Sequence, residues 1–104
     1  MNIGDFAAKY SVTKREVDYW TDLGLIHPKI NEKNGYQVYD AENEKEIKYV
    51  IIMKAAGMKL DLAHLGFLKM IPDDMYEQIV VEPILEERRR MSRFYDDALS
   101  YARE

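Results

Sequence analysis

Three neighbouring side chains, Thr13, Lys14 and Arg15, offer the clearest chemistry in this 104-residue chain. Arg15 can read a guanine edge or grip a phosphate, and Lys14 suits a phosphate. The alternative is a solvated helix face, the common fate of Lys and Arg. Nothing points to catalysis. The sequence has no nucleophile–base pair and no glycine-rich phosphate cradle, so no catalytic residue and no cofactor is expected. It has no cysteine, which excludes disulfides, thiolate metal sites and cysteine nucleophiles and fits a cytosolic protein. His27 and His64 have no second ligand at metal-binding spacing and read as satisfied or partly exposed, so no metal is expected. Asp73, Asp74 and Glu77 suit the start of a helix.

The elements that hold the basic run can be read from spacing. Ile3, Phe6, Ala7 and Tyr10 form a stripe on a first helix over roughly residues 3–10. Three residues later a second helix begins, with Thr13 as cap and Glu16 three positions on, as in a capping box. Val17 and Trp20 face one way, with Leu23 a turn further, and Gly24 ends the helix. Two short helices joined so tightly read either as a helix-turn-helix or as a plain helical hairpin. Asn34-Gly35 marks a hairpin turn between Lys29-Ile30 and Tyr36, Val38 and Tyr39. Asp40 is a plausible cap for a third helix over 41–56, with Ile47, Val50 and Ile51, and then Lys54 with Ala55, at helical spacing. Gly57 stops it, and a fourth helix packs Leu62 or Ala63 together with Leu65 inward. Pro72 then breaks the chain, leaving Asp73 or Asp74 to cap the next helix.

Taken in order, Ile3-Gly4-Asp5-Phe6-Ala7, Val12-Thr13, Tyr19-Trp20, Leu23-Gly24-Leu25-Ile26, Asn34-Gly35-Tyr36, Tyr39 and Ala56-Gly57-Met58-Lys59-Leu60 resemble the DNA-binding domain of the mercury-resistance-regulator (MerR) family of bacterial transcription factors. The resemblance covers about two-thirds of the chain. It implies a mainly α fold: a winged helix-turn-helix with a small β-hairpin wing over residues 1–70, then a short helical dimerisation region over 71–104. It implies a cytoplasmic homodimer on a palindromic promoter or operator in double-stranded DNA, bending or untwisting it, with RNA polymerase or another regulatory protein as further partners. The expected DNA contacts are Thr13, Lys14, Arg15 and Tyr19 on the second helix, and Lys29, Lys33, Tyr36 and Gln37 on the wing. Tyr36 either packs at the wing's base or touches a phosphate, and Tyr39 closes the wing onto the next helix.

Two positions depart from the family pattern. Asp18 stands where the family carries an arginine before its aromatic pair, and Gln37 where the wing carries another. The net charge of −4 also counts against nucleic acid. These features favour the alternative, a protein-interaction module on the same scaffold, such as an antirepressor or heteromer subunit with weak or no DNA binding.

Toward the C-terminus, Tyr76, Ile79 and Val80 form an apolar face, and Pro83 either kinks the helix or opens a new one. Ile84, Met91 and Ala98 recur at sevens, and Phe94, Tyr95 and Tyr101 broaden the stripe. These six are the expected dimer interface; the bland reading is a helix folded back on its own domain. Arg88, Arg89, Arg90 and Arg93 lie among Glu86, Glu87, Asp96 and Asp97, which favours pairing along the helix over nucleic-acid contact. No apolar run reaches the roughly 18 residues of a membrane span, so no membrane partner is expected. Asp18 yields a direct prediction. Asp18→Arg tightens binding to duplex DNA in a fluorescence-anisotropy titration; unchanged or weaker affinity places this face away from phosphate.

Overall fold

The computed structural model describes residues 1–103, with side chains through Ser100. The chain divides into two compact units, Met1–Met70 and a second that begins at Ile71. The first holds α1 (Ile3–Lys9), α2 (Lys14–Asp22), β1 (Lys29–Ile30), β2 (Gln37–Val38), α3 (Ala41–Ala55) and α4 (Leu62–Lys69).

Each helix of the first unit starts on a side chain suited to the task. Asn2 accepts the Asp5 N–H at the head of α1, and Asp61 accepts the His64 N–H at the head of α4. Thr13 and Glu16 form a reciprocal box at α2: Glu16 N–H donates to Thr13 Oγ1 at 3.0 Å, and Thr13 N–H donates to Glu16 Oε1 at 3.1 Å. Asp40 and Asn43 make the equivalent pair at α3. Between α1 and α2 the chain turns through Ser11, whose φ of 56° is in the left-handed region. Gly24, with φ of 78°, ends α2 where a side chain would be strained.

The core of this unit gathers Phe6, Val17, Trp20, Leu25, Ile26, Tyr39, Ile47, Val50 and Met53, with Leu65 and Leu68 from α4. Phe6 stacks on Tyr39 at 4.5 Å between centroids, and Tyr10 meets Phe6 edge-on at 5.4 Å. Met1 lies alongside Tyr39: Tyr39 N–H donates to Met1 O at 2.8 Å, and the Met1 amine donates to Tyr39 O at 2.7 Å. β1 and β2 pair antiparallel, Lys29 with Val38 and Ile30 with Gln37. The loop between them folds on its own asparagines. Gly35 N–H donates to Asn31 O, Lys33 N–H to Asn31 Oδ1 and Tyr36 N–H to Asn34 Oδ1.

Several expectations need correction. Leu65 is buried as expected, but its inward partner on α4 is Leu68; Leu62 is 60 % exposed and Ala63 is exposed. Tyr36 is 73 % exposed, so it does not pack at the wing's base. On α3 the buried position after Val50 is Met53, whereas Lys54 and Ala55 face outward.

In the second unit α5 (Asp73–Tyr76) runs into a π turn (Glu77–Val81) and then α6 (Glu82–Arg103). Pro72 occupies the cap position of α5 without a side-chain cap, so Asp73 and Asp74 lie in the first turn and neither is the cap. Nothing in the sequence signals the π turn. It lies just upstream of Pro83, whose ring would collide with the carbonyl four residues back in a regular α-helix. The wide turn closes with Glu82 N–H donating to Glu77 O. Pro83 thus sits in the first turn of α6. Val80 is buried, whereas Ile79 is exposed.

Asn43 is 1 % exposed and the only buried polar residue among those described. Its Nδ2 donates to His27 O at 2.8 Å and to Glu46 Oε1 at 2.7 Å, and its Oδ1 accepts the Asp40 N–H at 2.9 Å. It therefore ties the approach to the wing to the head of α3. Asn43→Ala removes three part-buried hydrogen bonds at a buried position and is expected to cost about 1–3 kcal/mol in urea unfolding; a loss well under about 0.5 kcal/mol contradicts this role. A second prediction concerns acid. Lys54 and the Thr13 backbone hold the Glu16 carboxyl below its usual value, and Lys29 does the same to Asp40. Lys9 and Tyr10 lower Glu44, and His64 lowers Asp61. Carboxyls depressed in the folded state add stability above their unfolded value of about 4, and that stability is lost as pH falls through the folded values. Unfolding free energy should therefore drop between about pH 5 and pH 2; a flat profile there contradicts the assignment.

Candidate nucleic-acid interface

Burial of Val17 and Trp20 on one side of α2 leaves Lys14, Arg15, Asp18, Tyr19 and Asp22 on the other. Lys14, Arg15, Asp18 and Tyr19 are exposed, Tyr19 at 55 %, and Asp22 is exposed a turn beyond them. Thr13 is also exposed, but its hydroxyl is engaged with Glu16 in the cap. Lys14 runs against α1, where a Cβ on Gly4 would stand 3.2 Å from Lys14 Cε. Gly4 thus gives the Lys14 stem a place to lie, a role its sequence context did not disclose. Lys14 and Arg15 form no ion pair among the described residues. Glu16 accepts from Lys54 Nζ at 2.8 Å, which fastens the first turn of α2 to α3. The face is polar in the electrical sense, with cations at its N-terminal end and Asp18 and Asp22 further along.

The wing presents a mixed set. Lys29 Nζ lies 2.7 Å from Asp40 Oδ2, so its charge is matched locally and its ammonium is held above the usual range by that hydrogen bond. Lys33 is exposed on the loop without an ion pair among the described residues. Gln37 Oε1 accepts from the Tyr39 hydroxyl at 3.3 Å. That phenol is pushed up by burial, with Thr21 opposing and the Asp18 carboxylate adding to the rise. Asp18 and Gln37, the two departures from the family pattern, therefore both act on one hydroxyl at the junction of α2 and the wing.

Charge is distributed unevenly along the chain. Residues 1–70 carry ten basic and ten acidic side chains, and residues 71–104 carry five and nine. The whole excess of −4 lies in the C-terminal stretch, so it is no argument against anion binding by the first unit. Within the first unit the pairs Lys9–Glu44, Lys29–Asp40 and Lys54–Glu16 take up three of the cations. Lys14, Arg15 and Lys33 are left with free charges on the α2 and wing surface.

Both histidines have carboxylate partners, His27 with Glu46 and His64 with Asp61. No group of metal-ligating side chains occurs among the described residues. No helix of the described residues is long and apolar enough to cross a membrane. On α6, Met91, Phe94, Tyr95 and Ala98 are exposed and Ile84 is half-buried. The side chain of Tyr101 lies outside the described residues.

The sequence matches the family model described as MerR HTH family regulatory protein over residues 1–65. Among curated proteins it is 38% identical to the HTH-type transcriptional regulator CueR of Bacillus subtilis over 58 residues, 56% of this chain and 40% of that protein. It is 31% identical to the HTH-type transcriptional regulator AdhR of the same organism over 61 residues, 59% of this chain and 44% of that protein. The CueR of Salmonella typhi is 28% identical over 61 residues, again 59% of this chain and 44% of that protein. The matched stretch thus spans less than half the length of these relatives. No solved structure gives a significant match. Capped tandem helices, a two-stranded wing and a family match over more than half its length agree, and the chain belongs to the MerR helix-turn-helix family of regulatory proteins.

Proposed function

We propose that this chain is a sequence-specific, DNA-binding transcriptional regulator that acts as a homodimer on a palindromic promoter or operator in the cytoplasm. Residues 1–70 serve as the DNA-binding domain and residues 71–104 as the dimerisation region. The observation that carries this reading is the exposed α2 face, where Lys14, Arg15 and Tyr19 stand on a helix whose opposite side is locked into the core. The N-terminal end of α2 enters the major groove. Arg15 reads a base edge, ideally guanine, while Lys14 and the Tyr19 hydroxyl meet phosphate. On the wing, Lys33 is the cation free to track the backbone, with Tyr36 and the Gln37 amide beside it. Lys29 contributes only by exchanging Asp40 for phosphate. Thr13 acts by capping α2 and thereby aiming Lys14 and Arg15.

Two such domains on one palindrome suit the family's use of an untwisted or bent promoter, read through deformability as well as base contacts. RNA polymerase, or another regulatory protein, is then the partner that senses the altered spacer. Relatives named as transcriptional regulators support a regulator rather than an enzyme.

A second reading has one observation of its own. Asp18 and Asp22 occupy the far half of the α2 face, which favours a cationic protein surface over a phosphate chain. Selection from a random duplex pool separates the two. The regulator reading expects an enriched inverted repeat, with log affinity falling against log salt at a slope of about −5 or shallower, because each subunit brings few free cations. Lys14→Ala then weakens all duplexes alike and lowers the slope by about one per subunit, whereas Arg15→Ala flattens the preference at one base pair. A pool that enriches nothing, at low and at physiological salt, leaves the interaction-module reading.

A further inference from the structure

The wing carries one polar side chain whose direction is set from beneath. Gln37 is exposed on β2 and stands where the family pattern has an arginine. The exchange alters more than charge. A guanidinium has donors alone, so each of its N–H groups can meet phosphate. A primary amide has a donor end and an acceptor end of nearly the same shape. Beside phosphate the nitrogen attracts and the oxygen repels, so a freely turning glutamine makes a poor contact. It makes a useful one where a second group holds the oxygen away.

Tyr39 is placed to do this. Its hydroxyl donates to Gln37 Oε1 at 3.3 Å. The residue that carries the hydroxyl is well fixed: it is 1 % exposed, its ring stacks on Phe6, and its backbone N–H and C=O are both bonded to Met1. The Thr21 hydroxyl donates to Val17 O at 2.8 Å, so its hydrogen is not available to Gln37. Burial, and behind it the Asp18 carboxylate, push the Tyr39 phenol up, so it stays a protonated donor. Across the ladder Gln37 pairs with Ile30, 66 % exposed, which shares its face and offers the amide neither donor nor acceptor. Gln37 Nε2 has no hydrogen-bond partner among the described residues.

We infer that Tyr39 is a positioning residue for DNA binding: its hydroxyl holds Gln37 Oε1 inward, so that Nε2 faces out as an uncharged donor for a backbone phosphate. This rests on the DNA-binding reading above and adds to it a contact that works without a cation. Such a contact differs from a lysine in one measurable way. An amide displaces no counterion, so it adds affinity without steepening the salt dependence.

A duplex enriched from the random pool, titrated by fluorescence anisotropy at several salt concentrations, tests this. Tyr39→Phe keeps the stacked ring and removes only the hydroxyl. It weakens binding by about threefold or more, as expected for one neutral hydrogen bond, with the salt slope unchanged. Gln37→Ala weakens binding by a similar factor, and Tyr39→Phe adds no further loss in that background. Gln37→Arg steepens the slope by about one per subunit and also makes Tyr39→Phe silent, because a guanidinium has no oxygen to turn away. A hydroxyl that served only the fold would show the same loss in all three backgrounds. NMR reads the contact without any substitution: the Gln37 side-chain amide resonances of the wild-type chain shift when duplex is added. Wild-type affinity in Tyr39→Phe, an equal loss in all three backgrounds, or an unmoved Gln37 amide at saturation overturns this inference and leaves the regulator reading standing. A pool that enriches nothing overturns both.

Discussion

Burial of Val17 and Trp20 is the constraint on which the candidate interface depends. A helix turns 3.6 residues per revolution, so sinking these two into the core dictates that positions 14, 15, 18, 19 and 22 face away. Nothing about those five side chains themselves sets their direction. The box between Thr13 and Glu16 then fixes where the helix begins, and Lys54 holds that same glutamate from α3. One carboxylate thus serves as cap partner and as tether, and it links the core of the unit to the aim of its outer face.

A similar economy governs the wing. Two-residue strands provide little pairing of their own, and isolated hairpins are marginal in water. The wing is held instead from its base. Asn43 grips His27 O, Asp40 reaches Lys29, and Tyr39 stacks on Phe6. Asp40 and Asn43 are also the capping box of α3. The start of that helix and the seat of the wing are therefore one hydrogen-bonded cluster, and a disturbance of either reaches the other. The cluster also has a consequence for charge. It neutralises Lys29, so the free cations available for phosphate lie at the head of α2 and on the wing loop rather than on the wing strand.

Much of this was legible in the sequence, for local reasons. Thr13 with Glu16, Asp40 before Ala41, Gly24 and Gly57 are signals that act within four residues, and each does what its type dictates. The inward turn of Trp20 and Tyr39 is a matter of periodicity and size. Where legibility failed, the deciding partner was distant along the chain. Asn43 reads as a polar helix residue until His27 and Glu46 are brought to it. Lys29 reads as a free cation until Asp40 folds back, and Gly4 is silent until Lys14 lies over it. On α4 the apolar residues nearly encircle the helix, so period placed Leu65 inward but did not choose Leu68 over Leu62 and Ala63 as its companion. Net charge misled for a different reason, because a sum over the whole chain hid a balanced first unit and an acidic second one.

The central claim is that the outward face of α2 meets DNA. The most direct measurement is an amide and side-chain NMR titration of the isotopically labelled full chain with a duplex enriched from the random pool. The largest shift changes are predicted at Lys14, Arg15, Tyr19 and Lys33, with Val17, Trp20 and Asn43 little changed. Perturbation confined to α4 or α6, with the α2 face untouched at saturating duplex, contradicts it.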